Sequence, residues 1–155
     1  TLMLSLLLSI MACQNSGTNG STGNISTAEF NESEQLTTTS GQYVVNRSTS
    51  GTISEEGFLR NGQKEGAWIT YNPDGQIETV TTYVGGQLNG IFLEFDQQYR
   101  LVSKTGYKNN EFHGMAKKFK FNRVIEELPY QNGQLEGIYR KYFENNGKLQ
   151  IEAEY

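Results

Sequence analysis

Four scarce side chains could carry reactive chemistry in this 155-residue sequence: one histidine, His113, one cysteine, Cys13, and two aspartates, Asp74 and Asp96. A zinc cluster needs about four ligands, mostly Cys and His, and this supply cannot furnish one. A lone Cys also excludes an internal disulfide. General acid–base work needs two groups with split pKa values held in a pocket. Nothing marks such a pair, and Asp74 stands in Asn72-Pro73-Asp74-Gly75, a turn signal. No Gly-x-Ser-x-Gly, phosphate-binding loop or His-Glu-x-x-His occurs. The expectation is a non-enzymatic protein without metal or cofactor.

Charge gives a second lead. The net charge of -4 argues against a general nucleic-acid binder. Yet residues 100 to 123 hold seven cations against Glu111 alone, a balance of +6. Lys117, Lys118, Lys120 and Arg123 close that band. They are candidate contacts for anionic headgroups, acidic glycans or an acidic partner. A solvated surface is the plainer reading, because lysines on exposed strands block edge aggregation.

His113 leads to the elements that hold these groups. It precedes Gly114, where equivalent places hold Glu65, Asn89 and Glu136. Gly41, Gly66, Gly90, Gly114 and Gly137 follow one another at steps of 25, 24, 24 and 23. Two residues after each come Tyr43, Trp68, Phe92, Ala116 and Tyr139. Three further on, from the second unit, come Tyr71, Phe95, Phe119 and Tyr142. Ile53, Ile77, Leu101, Ile125 and Leu149 recur every 24 residues. Six residues after four of these come Leu59, Tyr83, Tyr107 and Tyr155, while Tyr130 arrives one place early. This spacing puts a slip within Glu126–Tyr130, made good by a longer turn at Glu144–Gly147. A His at this register belongs to a hairpin, not to catalysis.

Each period holds two strands. Gln76–Tyr83 is rich in β-branched residues, and Lys148–Tyr155 alternates polar and apolar as a half-buried strand does. Asn61-Gly62 and Asn132-Gly133 mark hairpin connections, where Gly takes a positive φ without steric cost. Phe92 and Phe95 lie three apart. Either both sheet faces carry rings, or a bulge brings the two to one side. Seventeen glycines, nine Tyr, eight Phe and only two Pro suit short strands and tight turns.

The pattern Asn-Gly-x-x-x-Gly-x-aromatic-x-x-aromatic, with a Tyr before the Asn-Gly, resembles the MORN repeat. Tyr83–Phe95 and Tyr130–Tyr142 match best. The bacterial variant form, some of whose members are described as antitoxin-like, is nearest. The resemblance covers residues 41–155 in about five units. It implies an all-β fold, an elongated array of antiparallel β-hairpins in a single-layer or trough-like sheet. At about 4.8 Å per strand, ten strands would span roughly 45 to 50 Å. Gly66, Trp68, Tyr71, Tyr83, Gly90, Phe92, Phe95, Tyr107, Gly114, Phe119, Tyr130, Gly137, Tyr139 and Tyr142 would be its structural residues. Departures are Ala116 for an aromatic, Tyr99 and Arg123 for a turn glycine, and a weak first unit.

The N-terminal part reads differently. Residues 1–12 form an apolar run too short to span a bilayer, which needs about 20 residues. They match the h-region of a secretory signal. Ile10-Met11-Ala12-Cys13 also resembles the lipobox of bacterial lipoproteins, which implies lipidation of Cys13 and a place in the cell envelope. Residues 13–40 then make a tether rich in Ser, Thr, Asn and Gly. It offers too little apolar surface to offset ordering entropy. The functional expectation is a membrane-anchored scaffold that binds another protein or an envelope component. An antitoxin-like partner of a toxin, and anionic lipid or glycan binding through the fourth repeat, are its rivals.

Overall fold

β-Branched and aromatic segments, cut every few residues by Gly or Asn, favour strands over helices. The computed structural model describes residues 41–155, and every regular element among them is a strand. Cys13, the apolar leader and the tether lie outside the described residues. The strands are β1 (Gln42–Arg47), β2 (Ile53–Arg60), β3 (Gln63–Tyr71), β4 (Ile77–Val84), β5 (Gln87–Phe95) and β6 (Leu101–Lys108). Then come β7 (Glu111–Phe112), β8 (Gly114–Lys120), β9 (Arg123–Gln131), β10 (Gln134–Leu135), β11 (Ile138–Tyr142) and β12 (Leu149–Glu154). They form one open antiparallel sheet in the order β1-β2-β3-β4-β5-β6-β8-β9-β11-β12. The short arms β7 and β10 pair with β6 and β9. The fold is thus a row of five hairpins, as the repeat implied.

A single row of side chains crosses the sheet. Residues directly opposite in neighbouring strands point to the same face. Val44, Gly57, Trp68, Thr81, Phe92 and Thr105 stand opposite one another in turn. From Trp68 to Thr105 the row alternates a ring with a small residue, and each ring sits in the gap its neighbours leave. Gly57 shows how close the fit is: a Cβ there would lie 2.3 Å from the Trp68 ring. Val44 and Trp68 are the largest fully buried side chains described, and Leu59 and Tyr83 pack with them.

The repeated glycine has a defined job. Gly57 faces Trp68 and Phe58 faces Glu65, so Gly66 and Ala67 have no partner in β2. They pair instead with Tyr83 and Thr82 of β4. A two-residue bulge therefore hands the strand from one neighbour to the next. Gly90, Gly114 and Gly137 repeat the device, facing Tyr107, Tyr130 and Tyr155. All four have positive φ, at 71°, 116°, 81° and 114°, which favours Gly.

The ring question resolves to both faces. Tyr71 Oη donates to Glu56, and Glu56 stands opposite Ile69, the neighbour of Trp68. Trp68 and Tyr71 are thus on opposite faces, and so are Phe92 and Phe95.

Three expectations need correction. In unit one Val44, not Tyr43, takes the ring position, because the extra residue in the first 25-residue step shifts the register by one. The slip in unit four lies in its turn, not in Glu126–Tyr130. Phe121 and Asn122 alone close that hairpin, at φ 50° and 61°, where units one to three use three residues. Val124 thereby stands where Ile77 and Leu101 stand in their units, and Ile125 does not. A four-residue turn in unit five restores register. Finally, β12 is not half-buried. It is an edge strand of a one-layer sheet, and Leu149 and Ile151 are 48% and 43% exposed.

Candidate functional site

Unit four departs from the rule, and its side chains make the most distinctive place on the sheet. In three units the row ring meets the tyrosine at the end of the following strand edge-on. Trp68–Tyr83, Phe92–Tyr107 and Tyr139–Tyr155 have centroid separations of 6.4, 6.3 and 6.3 Å and interplanar angles of 79°, 78° and 88°. In unit four the row position is Ala116, and Tyr130 has no such partner. Volume has moved elsewhere. Leu128 stands opposite Ala116, where the other units from Trp68 onward keep Thr81, Thr105 or Ala153. Phe112 replaces the leucine of Leu88 and Leu135, and its ring lies 5.0 Å from both Tyr107 and Tyr130. The exchange is incomplete. A surface hollow of about 160 Å³ remains over Ala116, with Thr105 and Leu128 beside it and the rings of Phe112 and Tyr130 along it.

The basic band is less bare than its sequence suggests. Lys117, Lys118 and Lys120 pair with Glu127, Glu126 and Glu144 at 2.8, 2.7 and 2.6 Å. Arg123 Nη1 donates to the Asn145 carbonyl at 3.3 Å. All four acceptors come from residues after 123, and strand pairing brings them across. The result is two Lys–Glu–Tyr sets, one on each face. On the Ala116 face, Glu126 takes Lys118 and the Tyr139 hydroxyl at 2.7 Å. On the other face, Glu127 takes Lys117 and the Tyr142 hydroxyl at 2.7 Å.

Each set keeps its carboxylate ionised. Burial alone would raise the Glu126 carboxyl, but the Lys118 ammonium and the Tyr139 hydroxyl outweigh it and hold it below the usual range. Lys117 and Tyr142 lower Glu127 likewise. The hydrogen bond to Glu126 pushes Tyr139 up to about 12. Both carboxyls move in the same direction, so the sets supply two anions and not an acid beside a base.

The remaining residues fall into place around this site. Tyr83 and Tyr107 are raised by burial of their hydroxyls within the ring row. Phe95 and Phe119 occupy the face that carries Tyr71 and Tyr142, and line hollows at the turn edge. His113 lies between β7 and β8, and its backbone N donates to Gly106 O at 2.9 Å. Its Nδ1 is buried without a hydrogen-bond partner. Sequence spacing missed Leu128, Phe112 and the three glutamates. A leucine in a strand carries no mark of its row, and the glutamates join the site only through the register.

No protein-family model matches the sequence, and no curated protein or solved structure matches it either. The described residues define a class: an open, all-β sheet of sequential hairpins built on one repeated rule.

Proposed function

We propose that the chain is a non-enzymatic repeat protein of MORN-like build, anchored to a bacterial envelope membrane through lipidated Cys13. Its open sheet serves as a docking surface for another protein or an envelope component. One observation carries this reading. Ile91, Met115 and Ile138 follow the bulge glycines of units three, four and five, and are 47%, 40% and 42% exposed. Each neighbours a row residue and so faces away from the row. Strands repeat at about 4.8 Å, so these side chains recur roughly every 10 Å as one apolar stripe. The regular spacing and shared face of these side chains support the docking reading. Lys117, Lys118 and Lys120 each already hold a glutamate, so the band is not a bare polycationic patch, and the stripe favours protein docking over capture of multiply charged headgroups or acidic glycans.

A photo-crosslinker at position 115, in cells carrying the full chain, tests the stripe. A specific adduct that disappears when Ile91 and Ile138 become Asp supports docking, and an adduct indifferent to both changes refutes it. The anchor has its own test. Cys13→Ser should release the protein from membranes and abolish acyl labelling. An adduct with a toxin would identify the antitoxin-like role as the form docking takes.

A further inference from the structure

We propose that the hollow over Ala116 is a binding site for an aromatic ring bearing a carboxylate. It lies on the face opposite the apolar stripe and goes beyond the docking reading.

Shape argues for the ring. Each ring of the row from Trp68 onward is set edge-on to a tyrosine at 6.3 to 6.4 Å, and unit four keeps the tyrosine, Tyr130, while lacking the ring. The volume of about 160 Å³ fits one six-membered ring. An apolar cavity of about 150 Å³ is known to hold benzene. Ala116 and Leu128 supply an apolar floor, and Phe112 and Tyr130 supply aromatic walls. A ring seated there would restore the edge-on contact with Tyr130 that the other rings make, an arrangement aromatic pairs prefer.

Charge argues for the carboxylate. Lys117 and Lys118 line the hollow and no carboxylate does, but the Lys117 side chain turns to the other face to meet Glu127, which leaves Lys118 as the charge on this one. Lys118 belongs to the same face as Ala116, two residues along the strand. Its side chain is 59% exposed, and its ammonium gives one contact to Glu126 at 2.7 Å. An ammonium has three donors, so others remain for an arriving anion. Ser103, opposite Lys118, adds a hydroxyl at the same rim. A carboxylate two or three bonds from the ring would reach this rim while the ring sits over Ala116. A free aromatic acid and the C-terminal Phe or Tyr of a polypeptide share this chemistry.

The test is an NMR titration of the full chain with 3-phenylpropionate, its neutral amide, and a tripeptide acid ending in Phe. Ring-current shifts of the Ala116 methyl and the Thr105 and Tyr130 signals are expected with the acids. The amide should bind more weakly by about threefold, the size of an exposed ion pair. Lys118→Gln should remove that preference. Ala116→Phe, folded by its amide spectrum, should block binding. If that variant does not fold, the wild-type shifts decide alone. Tighter binding of the tripeptide would assign the site to a polypeptide terminus, and equal or weaker binding to a free acid. Absence of shifts at Ala116 with the probes at millimolar concentration would overturn the proposal. So would unchanged binding by folded Ala116→Phe. Cross-linking at position 115 is read independently, so either idea can fail without the other.

Discussion

At the residue scale, two kinds of glycine hold the sheet for opposite reasons, and they should fail differently. Gly57 is a matter of space. A Cβ there meets the Trp68 ring at 2.3 Å, so Gly57→Ala should cost about 1–3 kcal/mol by overpacking. Gly66 is a matter of backbone. Nothing lies within 4 Å of its would-be Cβ, but its φ is +71°, so Gly66→Ala should cost about 1–2 kcal/mol by strain alone. Chemical denaturation of both variants checks this. The cost at Gly57 should shrink when Trp68→Phe makes room, and that at Gly66 should not. The Lys–Glu–Tyr sets respond to pH at both ends. Glu126 and Glu127 titrate lower in the folded protein, so their contribution is present above the unfolded value of about 4.3. It is lost as pH falls through the folded values, and the melting temperature should drop below about pH 4. A double Gln variant should show a shallower acid limb. Tyr139 is raised to about 12, against about 10 unfolded. Its contribution is complete below about pH 10 and is lost as pH climbs toward 12. Tyr71 is raised too, by burial and its hydrogen bond to Glu56, and so is Tyr142, by its hydrogen bond to Glu127 and burial. Ultraviolet difference spectroscopy of tyrosinate formation should therefore find several late-ionising tyrosines, and Tyr139→Phe should reduce that late phase by one.

At the element scale, the hairpin is the unit, and its turn sets the register. The sequence made the period, the glycines and the ring positions visible, because a left-handed backbone place and a ring place each select residue types. It did not reveal the two-residue bulge, since a residue can leave one strand and join the next without any change in type. Nor did it locate the slip. Ile125 sits at the 24-residue interval, so the interval pointed there, while the shortened turn moved Val124 into place. The cross-strand glutamates were hidden for the same reason: their pairing depends on the register that the turn decides. Phe121 and Asn122 both take positive φ, which favours Asn-Gly in such a turn. Asn122→Gly should therefore stabilise by about 0.5–1 kcal/mol, read from the denaturation midpoint. No stabilisation would mean that the turn is strained elsewhere.

At the scale of the whole molecule, a one-layer sheet spreads its stability unevenly. The fully buried large side chains, Val44 and Trp68, lie in the first two units, and Leu59 and Tyr83 pack around them. The last unit keeps Leu149, Ile151 and Tyr155 exposed on an edge strand. Repeat arrays open locally according to the strength of each unit and of its contacts with neighbours. Amide exchange should be slowest in β2–β4 and fastest in β11–β12. Uniform protection would show that the ladder of hydrogen bonds, and not the Trp68 cluster, governs opening.

The alternation of large and small along the row also limits how such a chain can be rearranged by duplication. A copied segment is harmless only if it begins and ends at the same phase, so that a ring never lands beside a ring. Most cuts satisfy this whenever a whole period is copied. Unit four is an exception, because Ala116 and Leu128 have exchanged sizes within one hairpin. A recombination joint falling between them would give a hairpin with two small row residues, or one in which a ring faces leucine. The two must therefore be copied together, and the same holds where the first hairpin meets the second, since only Gly57 leaves the room that the Trp68 ring fills.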